Sequence, residues 1–142
     1  MNYPNQFRSG DKARFSKTIT ESDVSLFAGL VGDFHPKHIN AVFGAQTAAG
    51  KRVAQHALMM GLVNAVLQNQ LPGVAFELLR QQAEFLTPVC IGDTVTAIVE
   101  IVNWQPEKRL ITLKTLVVNQ DNVEILTGEA VMISQVPLQD KS

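Results

Sequence analysis

Gln55-His56-Ala57-Leu58-Met59-Met60-Gly61-Leu62-Val63-Asn64-Ala65-Val66-Leu67-Gln68 decides the fold. Wound as a helix, its Ala, Leu, Met and Val side chains leave almost no polar face. A helix that is apolar all round is expected to be buried all round. His56 and Asn64 interrupt the run, and it is too short to span a bilayer. Leu71-Pro72-Gly73 ends it with a proline and a turn glycine.

Everything after Gly73 reads as strand. Phe76–Pro88, Thr94–Gln105, Leu110–Asn119 and Val123–Gln135 are rich in Val, Ile, Leu and Thr. Ile91-Gly92-Asp93, Gln105 to Arg109 and Gln120-Asp121-Asn122 separate them, all hairpin-length connections. Strands joined by short turns form an antiparallel meander. One apolar helix followed by such a meander is best buried by curling the sheet around the helix. The fold class is therefore α+β, an antiparallel sheet wrapped on a central buried helix. The sheet's edges need cover, and a second subunit is a common solution.

Before the helix, Ser9-Gly10-Asp11 reads as a turn and Ala13 to Ile19 as a short strand. Thr20 and Asp23 have the spacing of a capping box and start a helix. Val24, Phe27, Ala28 and Val31 give that helix its buried face, and Gly32 stops it. Asn40 caps a second short helix reaching Thr47. Ala48 to Arg52 is a loop, with Lys51 and Arg52 as solvated charges.

The chain has 142 residues, 46% hydrophobic and 18% charged, with a formal net charge of -1. That suits one domain over residues 1–142, with ample core and no linker or repeat. The charge balance and the lack of a basic run argue against a nucleic-acid binder. Cys90 is the only cysteine, so no disulfide forms within the chain, which favours a reducing, cytoplasmic setting. The N-terminal decapeptide has no apolar signal core.

Gly32-Asp33-Phe34-His35-Pro36-Lys37-His38-Ile39-Asn40 carries the chemistry. Asp33 and His38 stand five residues apart across a proline. A carboxylate and an imidazole at one pocket hold a water and move its protons. Pro36 fixes its own φ and biases His35 away from helix, so a rigid bend is expected here. By spacing alone, Asp33 is equally a turn residue and His38 a packed histidine. His56 reads as a helix cap or a pocket-wall group.

Three patches resemble the MaoC-like, (R)-specific enoyl-CoA hydratases, a family with the hot-dog fold. Residues 32–40 resemble its Asp-x-Asn-Pro-x-His-x-Asp pattern. Val53-Ala54-Gln55-His56-Ala57-Leu58 resembles the Val-His-Gly-Met-Leu start of its central helix. Phe85-Leu86-Thr87-Pro88-Val89-Cys90-Ile91-Gly92-Asp93-Thr94-Val95 resembles a strand and turn common to many hot-dog proteins, and this patch speaks for the fold alone. The resemblance covers nearly the whole chain.

The resemblance implies that Asp33 and His38 are the catalytic pair, holding one water beside the double bond of a trans-2-enoyl thioester. It implies that backbone N–H groups around His56 and Ala57 bind the thioester oxygen. It implies CoA or acyl carrier protein as the substrate's carrier, a homodimer, and no metal or redox cofactor. Neither nucleic acid nor membrane enters as a partner. The chain departs from the pattern at His35 for Asn, Asn40 for Asp, Ala57 for Gly and Ala65 for a helix serine. A hot-dog thioesterase and a non-catalytic acyl-thioester-binding subunit are the alternative readings.

Overall fold

In the structure, a computed structural model describing residues 6–136, five antiparallel strands form one sheet in the order β1-β3-β4-β5-β2. The strands are β1 (Lys12–Thr18), β2 (Phe76–Phe85), β3 (Thr94–Gln105), β4 (Leu110–Val118) and β5 (Glu124–Ser134). Helices α1 (Glu21–Val31), α2 (Pro36–Ile39), α3 (Ala41–Ala45) and α4 (His56–Asn69) all lie between β1 and β2. Asn122, at φ 59, makes the tight turn before β5, and Pro106–Lys108 form a single 3-10 turn between β3 and β4. None of the described helices is long and apolar enough to cross a membrane.

β3 as far as Ile101 and β4 along its whole length alternate, as a sheet with one covered face requires. Val95, Ala97, Val99 and Ile101 of β3 are buried, as are Ile111, Leu113, Thr115 and Val117 of β4. Register pairs Ile101 with Leu113, Val99 with Thr115 and Ala97 with Val117, so these rows face α4 together. Met59, Val63, Val66 and Leu67 of α4 complete the core. Phe7, Phe76 and Trp104 meet edge to face, at centroid distances of 5.5–5.7 Å, within the same core.

The outer face carries a row of alternating charge. Lys12 bonds Glu100 at 3.2 Å, Glu100 stands opposite Lys114, Lys114 opposite Glu129, and Glu129 opposite Gln82. Each exposed pair contributes only tenths of a kcal/mol. The row's larger effect is to keep that face wet.

The all-round burial expected for the central helix is not what one chain provides. His56, Ala57, Gly61, Ala65 and Gln68 are exposed. A sheet covers one side of a helix, and a single small sheet cannot close around it. The expected bend at Pro36 is also corrected: Pro36–Ile39 is one turn of helix. Proline is unfavourable inside a helix but fits its first position, where no N–H is needed. The second short helix starts at Asn40 as expected but stops at Ala45.

Gly128 lies on an inner cross-strand row with Thr115 and Ala83. A Cβ there would sit 2.1 Å from the Gln82 carbonyl oxygen, which only backbone movement relieves. Gly29, on α1, has nothing within 4 Å of its own Cβ position. Gly128→Ala is therefore expected to destabilise by about 2–3 kcal/mol, and Gly29→Ala to stabilise by roughly 0.5 kcal/mol. Urea unfolding of the two variants, side by side, checks the pair.

Candidate active site

The site begins with the way α1 ends. Thr20 caps its start, accepting the Asp23 N–H, while the Asp23 carboxylate accepts the Thr20 N–H. Burial pushes the Asp23 carboxyl up, but these bonds and Lys17 at 3.0 Å more than offset it and hold it below its usual value. At the other end Gly32 takes the left-handed conformation, φ 78, and its N–H bonds the Ala28 carbonyl. Glycine adopts that conformation at no steric cost. The chain turns there, and Asp33 is the first residue past the cap.

His35 caps α2. Its Nδ1 accepts the Lys37 N–H at 3.1 Å, and its carbonyl accepts the His38 N–H at 2.9 Å. Asn40 ends α2 and starts α3, with Oδ1 accepting the Phe43 N–H at 3.0 Å. Gly44 lets α3 approach the next segment, since a Cβ there would meet the Arg52 backbone nitrogen at 2.7 Å.

His38 is 3% exposed. Its Nδ1 lies 2.6 Å from the Val53 carbonyl oxygen, and its Nε2 lies 3.4 Å from Asp33 Oδ2. A carbonyl only accepts, so Nδ1 carries the proton. In the neutral ring Nε2 then presents a lone pair to the Asp33 carboxylate. Two acceptors do not bond each other. A water donating one O–H to each, or a proton placed between them, satisfies both. Asp33 is partly exposed, so the pair is open to solvent on its carboxylate side.

Val53 is gripped from both sides. Its N–H bonds the Lys37 carbonyl at 3.0 Å, and it forms an isolated antiparallel bridge with Cys90. The Ala54 N–H bonds the Val89 carbonyl at 2.8 Å. The chain then passes through Gln55 into α4 at His56. The residue that fixes the imidazole therefore lies three positions before the first residue of α4. Burial pushes the Cys90 thiol up, Asp93 adds to this and Lys51 opposes it, so this thiol is not primed as a nucleophile.

His56 and Ala57 occupy the first turn of α4, both exposed. The helix cap is Gln55, not His56, and its side chain makes no capping bond. Instead Gln55 is 1% exposed and its Nε2 donates to the Val24 carbonyl of α1 at 3.0 Å. The opening N–H groups of α4 are thus left to other acceptors. The His56 ring stacks on Phe85, centroids 4.9 Å apart.

Residue patterns did not single out Gln55. A signal was present, because a polar residue entering a buried helix must find a partner. Asn64 reads from the sequence only as a break in the apolar run. It accepts a hydrogen bond from Gln81 at 2.8 Å, tying α4 to β2. Arg52 is not a solvated charge, since it pairs with Glu21 of α1 at 2.7 Å.

A family model, the MaoC like domain, matches residues 5–123. The chain belongs to the MaoC-like family. It is 38% identical over 133 residues to the (R)-specific enoyl-CoA hydratase of Rhodospirillum rubrum, covering 94% of this chain and 92% of that protein. It is 37% identical to the 3-hydroxybutyryl-CoA dehydratase of Methylorubrum extorquens, covering 89% of this chain and 78% of that one. The solved (R)-hydratase from Aeromonas caviae involved in PHA biosynthesis superposes with a TM-score of 0.88 at 36% identity, over 91% of this chain and 98% of that chain. The sheet wrapped on α4 is the hot-dog fold, as the MaoC-like resemblance implied.

Gln55 yields a test. Gln55→Leu removes one buried hydrogen bond and one unpaired oxygen, and is expected to cost about 1 kcal/mol. Gln55→Glu sets a carboxylate against the Val24 carbonyl and is expected to cost about 3–5 kcal/mol at pH 7. Burial raises the folded-state pKa of such a Glu, so its penalty grows as pH rises and shrinks as pH falls. Urea unfolding at pH 5 and 7 checks both the order and the recovery.

Proposed function

We propose that this chain is a hydro-lyase, interconverting a trans-2-enoyl thioester and a (R)-3-hydroxyacyl thioester. The observation that carries the reading is the facing pair of His38 Nε2 and Asp33 Oδ2, with the imidazole proton pinned on the opposite nitrogen. The reaction type of the hydratase and dehydratase relatives supports it.

Hydration needs a base for the water, an acid for carbon and charge stabilisation at the carbonyl. Asp33 and His38 share the water between them. As its oxygen bonds C3, one of its protons passes to the pair, and the pair returns a proton to C2. The water's O–H is added across the double bond with nothing else consumed. Electron density moves onto the thioester oxygen meanwhile. The first turn of α4, at His56 and Ala57, supplies free N–H groups and the positive end of a fourteen-residue helix dipole. Ala57 in place of glycine keeps its N–H, which is the part this role uses. Phe34, Leu58 and Leu62 are apolar neighbours for the acyl chain. CoA is the carrier named for the two relatives above, so we take the thioester to be that of CoA. The lone Cys90 suits the reducing cytoplasm, where we place the activity.

We also propose that the working unit is a homodimer. Strand β2 is an outer strand of the sheet, and Leu79, Phe85 and Leu86 on or beside it are 57%, 43% and 50% exposed. An apolar edge of that length invites a second copy.

Two outcomes are expected. Asp33→Asn and His38→Ala should each lower kcat by about 100-fold or more, measured by loss of the enoyl-thioester absorbance. The double variant should be little worse than either, because residues serving one water act as a unit. Wild-type hydratase activity in Asp33→Asn defeats the mechanism, and thiol release from saturated thioesters without hydration moves the protein to the thioesterases. Light scattering at micromolar concentration should give twice the 15.6 kDa chain mass, and a monomer removes the second subunit.

A further inference from the structure

We propose that His35 is a positioning residue, whose unprotonated imidazole holds the turn that presents His38, so that acid slows hydration through a proton that never meets substrate. The proposal rests on Asp33 and His38 being the catalytic pair.

His35 bonds both members of the pair and Lys37, which stands between them in the chain. The His35 N–H points to Asp33 Oδ1 at 3.5 Å, and its carbonyl accepts the His38 N–H at 2.9 Å. Its Nδ1 accepts the Lys37 N–H at 3.1 Å. The Lys37 carbonyl in turn accepts the Val53 N–H, and Val53 fixes the His38 ring. A four-residue helix such as α2 has no length to stabilise itself, so its cap and packing decide whether it forms.

The cap works in one protonation state only. Nδ1 accepts the Lys37 N–H through its lone pair, and a proton there sets donor against donor. The new charge also sits at the positive end of α2. Side-chain imidazoles change charge between about pH 5 and 8, so this loss falls in the working range of an enzyme.

The titratable groups facing His35 belong to its own segment, and the test must separate its effect from that of the pair. On its own segment stand Asp33, Lys37 and His38, the last with its ring 6.1 Å away. Helix α3 presents the uncharged edge of Phe43 at 5.8 Å. Helix α1 packs on α2, but its acids Glu21 and Asp23 are paired with Arg52 and Lys17.

Asparagine caps helices through an amide that does not titrate, and alanine does not cap. The test is the pH dependence of kcat and KM for a four-carbon trans-2-enoyl-CoA, with wild type, His35→Asn and His35→Ala. At about pH 8, where imidazoles are mostly neutral, His35→Asn should stay within about two-fold of wild type. His35→Ala should lose roughly five- to ten-fold in kcat, the size of a lost cap, with KM little changed. The acid limb of log kcat should have a slope above one in wild type, from His35 and the pair together, and a slope near one in His35→Asn. In an NMR titration the Lys37 amide resonance should follow the His35 proton in wild type and be far less pH-sensitive in His35→Asn.

Superposable profiles of wild type and His35→Asn overturn the proposal, as does a fully active His35→Ala at pH 8. If Asp33→Asn is inactive while those profiles coincide, the catalytic pair stands and His35 alone is dismissed. If Asp33→Asn is fully active, both readings fall. A Lys37 amide that ignores pH in wild type dismisses the cap whatever the activity.

Discussion

The site hangs on the peptide of Val53. Its carbonyl accepts the hydrogen bond of His38 Nδ1–H and so decides which nitrogen faces Asp33, while its N–H donates to the Lys37 carbonyl and holds α2 in place. A histidine side chain with one free nitrogen and no fixed partner would turn. Here ring orientation and tautomer are set by a single bond of 2.6 Å to a backbone that is itself bridged to Cys90. Because Val53 leads through Ala54 and Gln55 into α4, the same bond ties His38, and with it the facing Asp33, to the N–H groups at the helix start. In the proposed reaction, base and carbonyl donor must be spaced to fit one substrate, and a rigid stretch of chain between them achieves this better than two independent loops.

Gln55 plays the complementary part. Burying an amide is costly unless it is bonded, and its Nε2 finds the carbonyl of Val24. That bond joins α1, which leads to Asp33, to the start of α4. The helix forgoes a side-chain cap as a result. A capped N-terminus would already have spent the N–H groups that the proposed reaction assigns to the thioester oxygen, so under that proposal the missing cap and the buried amide are one arrangement.

Much of this was legible in the chain, and what was not divides by range. The Thr20–Asp23 capping box, the stop at Gly32 and the short turns joining β3 to β4 and β4 to β5 are local, and all are found where their residues stand. The connection through Ile91-Gly92-Asp93 is not the expected hairpin, because β2 pairs with β5 at the far edge and not with β3. The central helix and its wrapping sheet also followed, because an apolar fourteen-mer leaves few other ways to be buried. Asp33 and His38 are brought together as their spacing suggested. The misreadings came from reach. Pro36 does keep His35 out of the helix, but the rigid bend it suggests is a helical turn, because proline sits here at the one helical position that suits it. His56 was weighed as a cap while the quieter Gln55 held that position, because only the carbonyl of Val24, far back in the chain, shows what the amide is for. Full burial of α4 was read from composition, which cannot say that one sheet covers only one side.

The departures from the family pattern can be sorted by what each position does. Asn40 stands where the pattern has Asp, and its visible task is to accept the Phe43 N–H at the start of α3, which either side chain's oxygen performs. Ala57 stands where the pattern has Gly, in a helical turn with ordinary backbone angles, so the exchange costs no strain and keeps the N–H. His35 stands for Asn at a cap, and again a lone pair meets a backbone N–H. All three exchanges leave Asp33 Oδ2 and His38 Nε2 in place and act on the backbone that carries them. The exchange at residue 40 removes a carboxyl that the pattern has, and the one at residue 35 adds an imidazole that it lacks, so the two change the ionisable groups beside the pair without touching the pair itself.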